Sequence, residues 1–273
     1  MPFVQLPHLK VYYDEFVPVA SPEKTILPLI FLHGFTLDHR MWGPQTAYFS
    51  KQFRVIVPDA RGHGLSEAPE TGYSRADRVE DVKQLVDALG IERFHLIGLS
   101  MGGTTAIGFA LKYQERLASL TLVSPGAAGY DAGKKIAHID QLAREKGIEA
   151  ARRKWKEIAL SWYRQEKPEL RELMARMIDE HSGAIWRDRR RGRYPRENDL
   201  ERVHNITVPT LIVAGEADRI FLPLARLLHQ RITDSKLIVC NDVGHMVNLE
   251  APERFNRDLV SFLEAVAKAD FGA

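Results

Sequence analysis

Gly98-Leu-Ser100-Met-Gly102 is where residue type and spacing most directly imply chemistry. A serine in the pattern G-x-S-x-G suits nucleophilic acyl transfer when it sits on a sharp strand-to-helix turn. The context fits that geometry: the apolar run Phe94-His-Leu-Ile leads straight in, and a helical pattern follows from Met101 to Tyr113. On such a turn the serine must take a strained backbone conformation, and a side chain at position 98 or 102 would collide within the bend. Gly103 extends the same clearance. The turn is expected to push the Ser100 hydroxyl out of the sheet at a helix N-terminus, where N–H groups without intrahelical partners face developing negative charge. By itself the motif is also compatible with a purely structural Gly-Ser turn.

A serine hydroxyl attacks only when a base takes its proton, and ten histidines offer themselves. His245, in Val243-Gly-His-Met-Val, falls between the last expected strand and the last expected helix, in the chain order serine, acid, histidine that this elbow demands. His95 lies inside an expected strand and His229 on a helix. His138, His181 and His204 fall in a charged helical region, and His8 and His39 in segments of no clear periodicity, so all of these are read as structural or solvated. The acid must orient the imidazole from the end of a neighbouring strand. Asp218 meets this in Gly215-Glu-Ala-Asp-Arg; Glu216 is its local competitor, and Asp242, nearer to His245, would have to fold back on its own loop. A tetrahedral intermediate also needs backbone N–H donors. Met101, just after the serine, supplies one, and Phe35 supplies the other from the turn Leu32-His33-Gly34-Phe35, which His33 and Gly34 shape.

These residues need elements to hold them. Apolar runs with little alternation predict strands buried on both faces at Lys10 to Tyr13, Leu29 to Leu32, Arg54 to Val57, Phe94 to Leu99, Leu117 to Val123, Thr210 to Ala214 and Lys236 to Val239. Between them, Arg75 to Leu89 carries Val79, Val82, Leu85, Val86 and Leu89 at helical spacing with Gly90 as a stop, and Pro252 opens a last helix to Ala267. Alternating strands and helices predict an α/β sheet with crossovers. Residues 131–205 break the rhythm: no strand is expected there, and 19 Lys and Arg stand against 14 Asp and Glu, which leaves the remainder of the chain acidic. The segment is read as an inserted helical cap, with 1–130 and 206–273 forming the core domain.

Composition limits the function classes. Hydrophobic content of 45% and charged content of 27% belong to a folded globular chain rather than a disordered or fibrous one. A net charge of +2 gives no long-range field demanding nucleic acid or an anionic membrane. The run Arg187 to Arg196 holds six arginines in ten residues beside Trp186 and Tyr194, yet reads better as a solvated, salt-bridged face than as a nucleic-acid site. A subunit contact is a further reading of it. Trp155, Trp162 and Tyr163 either pack the cap on the core or line a pocket. The single cysteine, Cys240, excludes an internal disulfide and reads as a buried strand-end residue. No window approaches the roughly 18 apolar residues of a membrane span, and Met1-Pro-Phe-Val-Gln opens no leader pattern, so a cytoplasmic protein is expected. No metal-ligand spacing, phosphate loop or dinucleotide fingerprint occurs, and no cofactor is expected.

With these residues in place the sequence resembles the α/β-hydrolase superfamily over nearly its whole length. Asp59-Ala-Arg-Gly62-His-Gly64-Leu-Ser66 is similar to that family's D-x-R-G-x-G-x-S turn, which makes His63 and Ser66 structural, and Gly244-His245 with Asn248-Leu-Glu250-Ala-Pro252 is similar to its C-terminal signature. The resemblance implies a cofactor-free hydrolase of the α/β-hydrolase fold, with a mostly parallel eight-stranded sheet flanked by helices and a lid where 131–205 lies. Dehalogenases and epoxide hydrolases of this family carry aspartate where Ser100 stands, so serine implies an acyl-enzyme. The chain most resembles small-molecule carboxylesterases and enol-lactonases. It departs from the carbon–carbon bond hydrolases, having Phe35-Thr-Leu in place of a Gly-Pro-Gly loop and Met246 in place of Trp. The expected activity is cleavage of a small ester; the alternatives are a lactonase for an acidic enol-lactone and, in another class, a ligand receptor that has kept the fold.

Overall fold

Strand β3 (Leu29–Leu32) shows how the sequence builds the core. Its side chains alternate between faces, and Leu29 and Phe31 join one hydrophobic cluster while Ile30 and Leu32 join another. A computed structural model describes residues 2–18, 26–130, 134–163, 167–188 and 197–271. The other strands are β1 (Phe3–Leu6), β2 (Leu9–Phe16), β4 (Val55–Pro58), β5 (Phe94–Leu99), β6 (Leu117–Val123), β7 (Thr210–Gly215) and β8 (Ser235–Cys240). They form one sheet in the order β1-β2-β4-β3-β5-β6-β7-β8. β1 and β2 run antiparallel at one edge, and the pairings from β4 to β8 are parallel. β3, β4, β5 and β6 are buried along their whole length, as unbroken apolar runs require. The expected mostly parallel eight-stranded sheet is present. β1 had no strand assignment from the sequence, because only Leu6 of its four residues is buried and so short a segment carries no period.

The helices are α1 (Gly43–Phe49), α2 (Arg75–Ala88), α3 (Met101–Tyr113), α4 (Lys134–Lys146), α5 (Ile148–Ser161), α6 (Pro168–Glu180), α7 (Ala184–Arg187), α8 (Leu222–Arg231), α9 (Val247–Glu250) and α10 (Pro252–Phe271). A reciprocal capping box between Ser74 and Asp77 starts α2, which buries Val79, Val82, Leu85 and Val86 as its spacing predicts. α2, α3 and α8 cover one sheet face, where Phe94, Phe109 and Leu224 are fully buried; α1 and α10 cover the other with Phe49 and Phe255. Each such side chain contributes about 1.5–3 kcal/mol on leaving water. α10 runs past the expected Ala267 to Phe271.

Helices α4 to α7 all lie between β6 and β7 in the chain, and no strand interrupts them among the described residues. They are fixed over the C-terminal ends of the strands by specific bonds. Arg40 pairs with Glu180 at 2.5 Å, the Ser182 hydroxyl donates to the Gly62 carbonyl at 2.7 Å, and Arg75 reaches Glu197 and Asp199. Of the arginine-rich run, residues 189–196 lie outside the described residues. Among the described residues, no helix is long and apolar enough to cross a membrane.

Candidate active site

Four non-glycine residues among those described take left-handed backbone angles: Thr36, Ser100, Ser124 and Asp242. All four follow C-terminal ends of strands, after β3, β5, β6 and β8, where strain concentrates when a site is being shaped. Ser100 sits at φ +52° between β5 and α3. The glycines around it are steric necessities: a Cβ on Gly102 would run into the Leu32 carbonyl, and one on Gly98 into the Gly102 carbonyl. The bend is locked by Ser100 N–H donating to the Val123 carbonyl at 3.1 Å, while its own carbonyl accepts from Thr104 and Gly126.

Asp218 follows β7, and its carboxylate is held by the chain around it. Oδ1 accepts the N–H groups of Phe221 at 3.0 Å and Ile220 at 3.3 Å, and Oδ2 receives Nδ1–H of His245 at 2.6 Å. Burial pushes this carboxyl up, but the charge and hydrogen bond of His245 and the two amides outweigh it and hold Asp218 below the ordinary carboxylate range. An ionised carboxylate only accepts, so the His245 proton sits on Nδ1 and Nε2 remains a base. The local competitor Glu216 is engaged elsewhere, its carboxylate accepting the backbone N–H of Asp242 at 3.3 Å.

The loop carrying His245 is itself clamped. Glu250, buried at 3% exposure, accepts Gly244 N–H at 2.9 Å on one oxygen and Met246 N–H at 3.1 Å on the other, so one carboxylate grips both residues flanking the histidine. His245 N–H donates to the carbonyl of Trp162, just after α5, at 3.1 Å. The rings of Phe221 and Trp162 lie 4.7 Å and 5.3 Å from the imidazole. Sequence reading had not singled out Glu250 or Phe221 for this part of the site.

The turn after β3 is pinned by His33. Its Nε2 accepts Ala60 N–H at 2.9 Å, which leaves Nδ1–H to donate to the Gly34 carbonyl at 2.8 Å. Burial holds this imidazole below its ordinary pKa and therefore neutral, as that pattern requires. Asp59 organises the adjoining turn, accepting His39 N–H at 2.8 Å and Leu65 N–H at 2.9 Å, and Ser66 bridges its hydroxyl to the Asp59 carbonyl at 2.7 Å. His63 is buried against His33, Phe35 and His181. Their geometry fits the structural reading of His63 and Ser66. His95, buried in β5, bonds Ser119, and Cys240 is buried at the end of β8, where burial pushes its thiol up.

Ser100, His245, Met101, Gly34 and Phe35 all line one cavity of about 390 Å³ between the strand ends and the inserted helices. Trp155 and Trp162 form part of its wall, whereas Tyr163 is buried without lining it. A serine, a histidine oriented by a carboxylate and a helix N-terminus therefore face a shared apolar space able to hold a small substrate. Among the described residues one grouping could hold a metal ion, Asp38, His39 and Asp59. Its carboxylates are already taken by Arg40 and by the His39 and Leu65 amides, and it does not line this cavity.

Comparison with known proteins agrees with this architecture. A family model described as the alpha/beta hydrolase fold matches residues 28–252. The chain is 29% identical over 262 residues to the carboxylesterase YbfK of Bacillus subtilis (strain 168), covering 90% of this chain and 83% of that one. It is 27% identical over 256 residues to 3-oxoadipate enol-lactonase 1 of Acinetobacter baylyi, covering 92% and 93% respectively. A thermophilic esterase from Thermogutta terrifontis superposes with a TM-score of 0.83 at 27% identity over 98% of both chains.

Proposed function

The chain belongs to the α/β-hydrolase family, and on that premise we propose that it is a serine hydrolase cleaving carboxylic esters of small molecules through an acyl-enzyme. The observation that carries this reading is the 2.6 Å bond from His245 to Asp218 at the wall of the cavity that Ser100 also lines. The esterase and lactonase relatives support the same reaction class. Ser100 Oγ attacks the ester carbonyl while Nε2 of His245 takes its proton, and Asp218 stabilises the imidazolium. The oxyanion lies against the N–H groups of Met101 and Phe35, each such donor being worth about 3 kcal/mol of barrier. Collapse of the tetrahedral intermediate expels the alcohol, which receives the proton from His245. Water, deprotonated by the same nitrogen, then attacks the acyl-serine and restores Ser100.

The inserted helices act in this scheme as a cap, with Trp155, Trp162, Met174 and Ile185 walling the acyl pocket. A cavity toward the lower end of the roughly 300–1,000 Å³ range of small-molecule sites suits short and medium esters. The second reading, a lactonase for an acidic enol-lactone, is favoured by Arg78. This residue of α2 lines the same cavity and donates to the Thr105 hydroxyl and the Tyr73 carbonyl, both at 3.1 Å. A guanidinium so placed can meet a substrate carboxylate.

The test is hydrolysis of a short and a medium chromogenic ester by the wild-type protein and by Ser100→Ala, with an acidic lactone in parallel. Ester turnover lost in Ser100→Ala is the expected result. Lactone turnover alone favours the second reading. Activity unchanged in the variant refutes the mechanism, and none in the wild type points to a receptor.

A further inference from the structure

The turn that carries Phe35 contains a residue out of keeping with its backbone. Leu37 N–H closes onto the Gly34 carbonyl at 3.2 Å, which places Phe35 and Thr36 at the two central positions. Thr36 stands at φ +59°, at the third position of the turn, where glycine or asparagine is the usual occupant because a branched side chain is strained there. Its hydroxyl has a use that glycine could not supply. It donates to the Phe35 carbonyl at 2.7 Å and accepts the indole N–H of Trp155 at 2.6 Å. Thr36 is 1% exposed and Trp155 4%, so this relay runs through a space shielded from water, where each bond strengthens the next. The ring of Phe35 meets that of Trp155 edge-on at 5.1 Å.

We infer that Trp155 is a positioning residue for the oxyanion turn: through the Thr36 hydroxyl it fixes the peptide joining Phe35 to Thr36, and with it the backbone angles of Phe35 that aim the Phe35 N–H, so that a helix of the cap sets the direction of a donor in the core. The inference rests on the proposed serine mechanism, in which the Phe35 amide faces the oxyanion. A strained turn persists only where its surroundings over-determine it, and here a side chain of α5 joins His33 in holding it. Seven residues further on, the Trp162 carbonyl holds His245 N–H at 3.1 Å, so the same stretch of chain braces both the oxyanion turn and the base loop. The cap thereby contributes to transition-state geometry as well as to the shape of the pocket.

Five proteins test this: wild type, Trp155→Phe, Thr36→Val, Thr36→Ser and the double variant of Trp155→Phe with Thr36→Val, each assayed for kcat, KM and inhibition by phenylboronic acid, which forms a tetrahedral adduct on a nucleophilic serine. Trp155→Phe keeps an aromatic ring against Phe35 and removes only the donor. It is expected to lower kcat about tenfold, less than the 10²–10³ of losing an oxyanion donor outright. KM stays close to that of wild type, and the inhibition constant rises by the same factor as kcat falls. Thr36→Val gives a similar loss, the double variant is no worse than either single one, and Thr36→Ser, which keeps the hydroxyl, loses less than Thr36→Val. That last comparison decides the matter even if Trp155→Phe fails to fold. Multiplying losses in the double variant, a rise in KM with kcat preserved, or equal losses for Ser and Val at position 36 would overturn the inference while leaving the esterase reading intact. Retained activity in Ser100→Ala together with no inhibition of wild type by the boronic acid would overturn both.

Discussion

Asp218→Asn separates orientation from packing at the level of a single residue. Asparagine keeps an oxygen for the Phe221 and Ile220 amides but turns an NH₂ toward His245, which forces the imidazole proton onto Nε2 and points it at Ser100. On the proposed mechanism kcat falls about 10⁴-fold with substrate binding and thermal stability little changed, the size seen when a triad acid is neutralised. A fall of less than tenfold in steady-state assays would remove Asp218 from that role. The placement of Ser100, Asp218 and His245 beyond the ends of β5, β7 and β8 was legible in the sequence, because each follows an apolar run with its own local signature. Thr36 and Trp155 were not, since they meet across 119 residues and neither motif nor periodicity links them. The strain at Thr36 is invisible in a sequence, where threonine after phenylalanine is unremarked.

Short elements carry more of the site than their length suggests. α9 has four residues, yet Glu250 at its end spans the amides on either side of His245. Glu250→Gln presents an NH₂ to one of those two N–H groups, leaving a buried donor unsatisfied at a cost of about 1–3 kcal/mol. The expected outcome is a midpoint of thermal unfolding lowered by several degrees, together with a reduced kcat at unchanged KM. A variant with wild-type melting and wild-type kcat would show the clamp to be idle. Glu250 entered the sequence reading only as part of a family signature, and a glutamate's residue type gives no hint of burial, whereas the buried strands declared themselves through their apolar runs. β1 shows the opposite failure: it pairs with β2 through backbone bonds, and only Leu6 of its side chains reaches the interior.

Across the whole molecule, neutral imidazoles link folding to pH. His63 is held well below its ordinary pKa by burial first, then by the neighbouring His181 and His33, and His33 is likewise lowered by burial. In the unfolded chain each takes a proton near the usual value of about 6.5, while the folded state refuses it. Their contribution is complete above that pH and is lost as pH falls toward the folded values, each at up to about 1.4 kcal/mol per pH unit. Denaturant unfolding of wild type between pH 7.5 and 5.5 is expected to weaken steadily, and His63→Gln to flatten that slope; equal slopes in the two proteins would mean that His63 is not held neutral. The sheet itself closes across the entire helical excursion, since Leu120 of β6 pairs with Thr210 of β7. Loop-closure entropy grows only logarithmically, and doubling such an excursion costs about 0.6 kcal/mol. Descendants of this chain are accordingly free to lengthen, shorten or exchange the helices between β6 and β7 with little penalty to the sheet beneath. What they inherit less freely is the donor to Thr36: a helical insertion that diverged would keep an indole in that place, or give back threonine for glycine in the turn it steadies.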